Sequence, residues 1–191
     1  DRATYRLKSI RCEDWLGFIA INLDGNAASF GSNLEELSEF IAPWKLGEMV
    51  TAHERVYTTT WDWKLMWENA IEGYHTSFLH RTSAGDAIPT ALSYVSEDLD
   101  GRPWSDLHHP FVDDLPPPLP GAPPMLEGLP GFASKELVFF HVWPCLGFYL
   151  NPDKITSYIC EPAAPGRHRF VWRLLVPPEA TERKDYATWR E

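Results

Sequence analysis

Cysteine is scarce in this chain, with only Cys12, Cys145 and Cys160 present. An odd and widely spaced set excludes a disulfide framework and fits a reducing compartment. None of the three stands at Cys-x-x-Cys or Cys-x-His spacing, so these residues offer no cysteine metal cluster. Basic clusters are also lacking. Against 17 Lys and Arg stand 27 Asp and Glu, for a net charge of −10, which excludes the electropositive footprint of a nucleic-acid binder. In the densest basic stretch Arg167, Arg169 and Arg173 alternate with apolar residues, the pattern of a strand's solvent side. No apolar run approaches the ~18 residues of a membrane helix. The opening DRATYRLKS has no apolar segment of signal-peptide type. These absences lead to the expectation of a cytoplasmic protein with neither a membrane nor a nucleic acid as partner.

What is present is a globular composition. In 191 residues, 44% are hydrophobic and 23% charged, enough for one domain with a core, or one domain plus a remnant of another. The segments Tyr5–Cys12 and Trp15–Leu23 read as a strand pair closed by the Asp24-Gly25 turn, and two strands alone do not make a stable domain. A helix follows, with Ser32 or Asn33 as cap, Leu34, Leu37, Phe40 and Ile41 at helical spacing, and Pro43 as its end. Met49–Trp61 reads as a strand and Trp63–His75 as a helix. Gly101–Gly131, with PPPLPGAPP inside it, reads as a long connection or lid. Four strand-like runs, Glu136–Trp143, Leu146–Asn151, Lys154–Glu161 and His168–Val176, form an antiparallel meander with turns at Asn151-Pro152-Asp153 and Pro165-Gly166. Thr181–Glu191 begins a further helix. The order predicts an α+β, helix-grip-like fold: a curved antiparallel sheet with helices on one side.

The chemistry concentrates in ENAIEGYHTSFLH, which carries Glu72, His75 and His80. Iron(II) that activates O2 takes two imidazoles, one carboxylate and open positions. Five steps at about 100° do not put two His on one helix face, so His75 and His80 converge only if the helix ends or bulges after His75. Gly73 before it and Thr76-Ser77 after it make room for that ending. Glu72, one turn earlier, reaches the same region. By spacing alone two readings stand: an iron site, or a helix end with an exposed Glu and two packed His.

The stretch WDWKLMWENAIEGYHTSFLH resembles the iron-binding segment of Rieske-type non-haem iron oxygenases, the ring-hydroxylating oxygenase alpha-subunit family. Trp63-Lys64, Glu68-Asn69, Glu72, His75 and His80 match its pattern in order and spacing. Asp62 stands where the family usually has Asn. RCEDWLGFIAINLD resembles the last strands of the family's Rieske β-domain, and the meander resembles its catalytic sheet. The resemblance implies a remnant of the Rieske [2Fe–2S] domain over residues 1–30. It also implies a mononuclear-iron catalytic domain over residues 31–191, truncated before the end of its C-terminal helix.

By the same resemblance His75 and His80 are the imidazole ligands of Fe(II). Glu72 is the acid that links the iron to a neighbouring subunit's cluster. The third ligand, an Asp, is expected beyond Glu191; Asp185 reads as a solvated acid. The implied protein is an oxidoreductase that hydroxylates, dihydroxylates or demethylates a small organic substrate with O2, incomplete in this fragment. Its [2Fe–2S] cluster lies in the N-terminal part, and electrons come from NAD(P)H through a ferredoxin or reductase partner. The assembly is a trimer-based homo-oligomer. Glu in place of the common Asp at the bridging position is shared with members acting on quaternary amines.

Asn69 is a candidate to hold an imidazole from behind the metal. His141, Phe139 and Trp143 share a strand face, and His141, Trp143 and Phe148 are candidates for the substrate pocket. His108 and His109 fall in the lid stretch and read as solvated. Two other functions fit the residues: a metal-free hydrophobic-ligand-binding module of helix-grip type, and a structural zinc site on His75, His80 and a nearby acid.

Overall fold

The computed structural model describes residues 5, 9–97, 101–113, 122–183 and 185. They divide into two compact units, Asp1–Glu48 and Met49–Glu191.

In the first unit, β1 (Arg11–Trp15) and β2 (Phe18–Asn22) pair antiparallel around a turn at Leu16 and Gly17. Both turn residues have positive φ, 52° and 88°, the requirement of a two-residue hairpin turn of matching twist. The expected first strand, Tyr5–Cys12, is therefore displaced: residues 13 to 15 remain in it, because the glycine is what places the turn. Part of that expected strand, residues 6–8, lies outside the described residues. Trp15 closes the unit's core, packing on Phe30 at 5.9 Å and donating its indole N–H to Ser38 Oγ at 2.9 Å. Helix α1 (Glu35–Ile41) buries Leu37 and Ile41, and Pro43 sits in the 3-10 turn that follows, as its sequence position predicts. Neither Ser32 nor Asn33 caps this helix, since the 3-10 turn Gly31–Leu34 leads into it and Ser32 Oγ donates back to Ser29 O.

In the second unit the described residues include a six-stranded antiparallel sheet in the order β3-β8-β7-β6-β5-β4. Its strands are β3 (Val50–Thr59), β4 (Trp104–Pro110), β5 (Glu136–Val142), β6 (Leu146–Leu150), β7 (Ile155–Ala164) and β8 (Arg167–Val176). The fold is α+β with this sheet and few helices. The four meander strands stand where their hydrophobic patterns place them. Arg169 and Arg173 face outward as expected, on Glu161 and Glu54.

The expected lid is corrected in its first third, where Trp104–Pro110 is the edge strand β4, paired with β5 along its length. The apolar alternation that normally reveals a strand is missing there because Asp106, His108 and His109 are buried polar residues. The rest of the proline-rich stretch falls partly on residues 114–121, outside the described residues. The expected C-terminal helix is also corrected at its start. Pro178–Glu182 is a 3-10 turn, and most of the expected helix lies outside the described residues.

Helix α2 (Lys64–Ala70) lies on one face of the sheet, with Trp67 and Ala70 packed among Leu107, Phe139 and Cys160. Gly147 on β6 permits that approach. A Cβ there would stand 2.6 Å from the Trp67 ring and 2.8 Å from the Phe139 ring. No described helix is long and apolar enough to cross a membrane. Gly147→Ala is expected to lower stability by about 1–3 kcal/mol through overpacking, read as a fall in thermal midpoint and urea midpoint.

Candidate metal centre

The expected helix Trp63–His75 ends five residues early, at Ala70. The backbone N–H of Ile71 still reaches Trp67 O at 2.9 Å, and there the helical bonding stops. Side chains take over the backbone's partners. Glu72 Oε2 accepts the N–H of Tyr74, and Thr90 Oγ1 donates to Gly73 O at 2.5 Å. Gly73 is needed for that approach, since a Cβ would stand 2.9 Å from Ser93 Cβ. A new helical turn, α3 (Thr76–Leu79), then begins, with His75 at its N-cap and His80 at its C-cap. The break thus falls before His75, rather than after it.

The interruption brings the two imidazoles together, with ring centroids 5.2 Å apart and planes at 64°. Two imidazoles sharing a metal through nitrogens at about 2.1 Å have centroids roughly 5 Å apart, so the pair is spaced for a common ion. Each Nδ1 already has a protein neighbour. His75 Nδ1 meets Glu72 Oε1 at 2.5 Å, and His80 Nδ1 lies 3.4 Å from Ser83 Oγ. Nε2 is the nitrogen left on each ring, and a carboxylate behind a ligating imidazole is a recurrent support of metal sites. His80 is pinned by its own carbonyl, which accepts the N–H groups of Ser83, Ala84 and Gly85 at 2.9, 3.0 and 2.8 Å. A Cβ on Gly85 would stand 2.6 Å from Thr76 O. Among the described residues no group of three or more His, Cys, Asp or Glu is arranged to hold a metal ion, so the pair is at most part of a coordination set.

Glu72, His75, His80 and Asn69 line one cavity of about 470 Å³, whose opposite wall is the sheet face carrying Phe139, Tyr149 and Tyr158. The other sequence candidates stand elsewhere. His141 is fully buried, stacked on Trp67 at 4.3 Å. Trp143 is 49% exposed, and Phe148 is buried on the sheet's other face, as the alternation along β6 requires. None of these three lines this cavity. Asp185 is held in two-point contact by Arg183 at 3.1 and 3.0 Å.

His109, expected in solvent, is placed otherwise by the structure. It is buried, lines the same cavity, and its Nδ1 lies 3.1 Å from Ser93 Oγ. Burial first, then the neighbouring His75 and His108, push its pKa down to about 4, which keeps it neutral. His108, also expected in solvent, is buried on the opposite face of β4. It lies between Glu136, 3.0 Å from Nδ1, and Asp106, 3.6 Å from Nε2, with Tyr94 stacked on its ring at 4.5 Å. Burial opposes its charge, but the two carboxylates outweigh burial and raise its pKa. Burial and the Glu136 contact push the Tyr94 phenol up to about 12. The only sequence signal for these roles was the pairing of His with acidic residues at Asp106 and Glu136.

Residues 46–191 match the family model described as ring hydroxylating alpha subunit, catalytic domain. The chain belongs to that family. Solved structures of Rieske oxygenases share its fold. The quaternary ammonium Rieske monooxygenase CntA with an inhibitor is 19% identical, at a TM-score of 0.68 over 95% of this chain and 46% of that one. The same enzyme with L-carnitine is 20% identical, at 0.66 over 95% and 45%. Naphthalene 1,2-dioxygenase from Rhodococcus sp. bound to indole is 15% identical, at 0.61 over 94% and 49%. This ring-hydroxylating family member thus spans about half the length of the solved structures it matches. No curated protein sequence matches it.

The His108 cluster gives a pH signature. His108, raised above 6.5, contributes stability that is full below pH 6.5 and lost as pH rises through its folded pKa. Asp106, lowered below 3.8 against the opposing effect of burial by its bonds to His108 and Ser96, contributes stability above pH 3.8 that is lost as pH falls through its folded pKa. Unfolding free energy measured by urea titration is expected to decline above pH 6.5, and His108→Gln is expected to remove that decline.

Proposed function

We propose that this chain is the catalytic part of a Rieske-type oxygenase in which His75 and His80 hold a mononuclear Fe(II). The observation that carries this is the imidazole pair, 5.2 Å apart on the wall of the cavity, each ring backed at Nδ1. Ferrous iron bound there supplies the redox chemistry that reduces O2 for hydroxylation, dihydroxylation or demethylation of a small organic substrate. The chain's own residues do the rest. Thr90 and Gly85 hold the two ligand-bearing turns, Glu72 keeps His75 oriented and electron-rich, and the largely apolar cavity wall receives the substrate beside them. An Asp following Glu191 would complete the ligand set, since Asp185 is engaged by Arg183.

Glu72 is also the entry for electrons. Its side chain is 28% exposed, and around it Tyr74, Phe78 and Leu79 are 79%, 84% and 77% exposed, an apolar surface suited to a docked subunit. In this reading residues 1–30 end a Rieske [2Fe–2S] domain, and the neighbouring subunit's cluster passes electrons through Glu72 to His75. NAD(P)H supplies those electrons through a ferredoxin or reductase, and the subunits assemble as a trimer-based homo-oligomer in the cytoplasm. The Glu at this position and the likeness to a quaternary ammonium monooxygenase leave both amine and aromatic substrates within the class.

The full-length protein, loaded anaerobically with Fe(II) and treated with nitric oxide, is expected to give the electron paramagnetic resonance signal of a high-spin iron nitrosyl. His75→Ala and His80→Ala are each expected to lose the metal. Glu72→Gln is expected to keep iron but slow reduction-coupled O2 consumption by about 10- to 100-fold. Iron retained at full stoichiometry by the His75→Ala, His80→Ala double variant would sink the assignment.

A further inference from the structure

On the sheet side of the cavity, two polar atoms of the strands are uncommitted among the described residues. The His109 side chain has its hydrogen bond at Nδ1, to Ser93, and Tyr149 Oη has no hydrogen-bond partner among the described residues. Neither His109 Nε2 nor Tyr149 Oη is among the sealed, unpartnered polar atoms, which are Trp67 Nε1, Ser105 Oγ, His141 Nδ1 and Ser157 Oγ. Both residues line the cavity, so these two atoms open onto it. They belong to strands β4 and β6, on either side of β5, with ring centroids 6.1 Å apart.

Both atoms suit the same work. Burial raises the Tyr149 phenol, so its hydroxyl keeps its proton. Ser93 Oγ lies 3.1 Å from His109 Nδ1, and the subsite takes the tautomer in which this hydroxyl donates to Nδ1 and the ring proton sits on Nε2. The one carboxylate on the wall, Glu72, is taken up by His75 and Tyr74, and the one cation, Lys154, is held by Asp153 at 2.8 Å. The remaining wall around the pair is largely apolar, with Leu137 and Phe139 between the two strands. Two neutral donors in an apolar wall bind an acceptor oxygen, because such an oxygen would otherwise lose its water on entry without replacement.

We propose that His109 Nε2 and Tyr149 Oη form a two-donor subsite for a carbonyl or carboxylate oxygen of the substrate. The substrate is then an apolar or aromatic molecule carrying that oxygen, turned by it so that another part faces His75 and His80. His109 and Tyr149 are thus specificity-determining residues. This rests on the reading of the cavity as an oxygenase substrate site, and it goes further by naming the substrate class.

The test uses the full-length protein and four probes: acetophenone, benzoate, ethylbenzene and benzyltrimethylammonium. Binding is followed by tryptophan fluorescence, and the iron nitrosyl signal is recorded in parallel. Acetophenone or benzoate is expected to bind at least about tenfold tighter than ethylbenzene, which has nearly the shape of acetophenone. His109→Phe and Tyr149→Phe are each expected to weaken the oxygen-bearing probe by about tenfold and leave ethylbenzene unchanged. His109→Asn, which keeps a donor, is expected to recover part of the preference. Thermal midpoints within the wild-type range show that each variant folds.

Ethylbenzene or the ammonium probe binding as tightly as both oxygen-bearing probes would overturn the proposal. So would variants that weaken every probe alike, or a failure of both oxygen-bearing probes to bind. A missing nitrosyl signal with the oxygen preference intact would instead defeat the iron assignment, which keeps the two failures apart.

Discussion

Glu72 stops a helix, and the centre depends on that stop. Its carboxylate accepts the Tyr74 N–H with one oxygen and meets His75 Nδ1 with the other, while Thr90 takes the Gly73 carbonyl. The contacts to Tyr74 N–H and Gly73 O each give a backbone group a side-chain partner outside helical bonding. A continuous helix would send His75 and His80, five residues apart, to different sides. With the helix ended at Ala70 and a single turn restarted at Thr76, the two rings lie 5.2 Å apart. One carboxylate therefore shapes the backbone and backs the imidazole that the backbone presents.

The sheet supplies what the helical segment cannot. Antiparallel strands put alternate residues on opposite faces, so β4 sends His109 into the cavity and His108 to the other side. These neighbours in sequence have opposite electrostatics. Burial, with other imidazoles nearby, lowers one; burial acts against two carboxylates at the other, and the carboxylates win. The same alternation buries Phe148 away from the cavity while Tyr149 lines it. Gly147 sets how close α2 comes to this floor, and α2 leads directly into the turns that carry His75 and His80.

Local signals read well where one force dominates. The meander strands carry clear apolar runs between Pro and Gly turns. Leu34 in the 3-10 turn and Leu37 and Ile41 in α1 are as buried as their spacing implies, Phe40 is half-buried, and Pro43 lies just past the helix end. The reading failed where polar residues do the packing. Trp104–Pro110 looks like loop because Asp106 and His108 interrupt its apolar pattern. They are tolerated inside because Glu136 and Ser96, both distant in sequence from at least one partner, bond them. In the hairpin, Leu16 and Gly17 take the positive φ of the turn, so Glu13–Trp15 fall in the first strand, beyond the expected end at Cys12.

The order and spacing of Trp63-Lys64, Glu68-Asn69, Glu72, His75 and His80 carried the resemblance to the family and singled out His75 and His80 as the candidate pair. These residues are close along the chain, and their chemistry is legible as text. Only the tertiary structure decided where the helix breaks, which aromatic residues line the cavity, and that His109 joins it while His141 does not. Those outcomes depend on Thr90, Ser93 and the register of β4 against β5, contacts between segments far apart in sequence. A period of two along a strand says that faces alternate; which face meets the cavity is set by what packs against it.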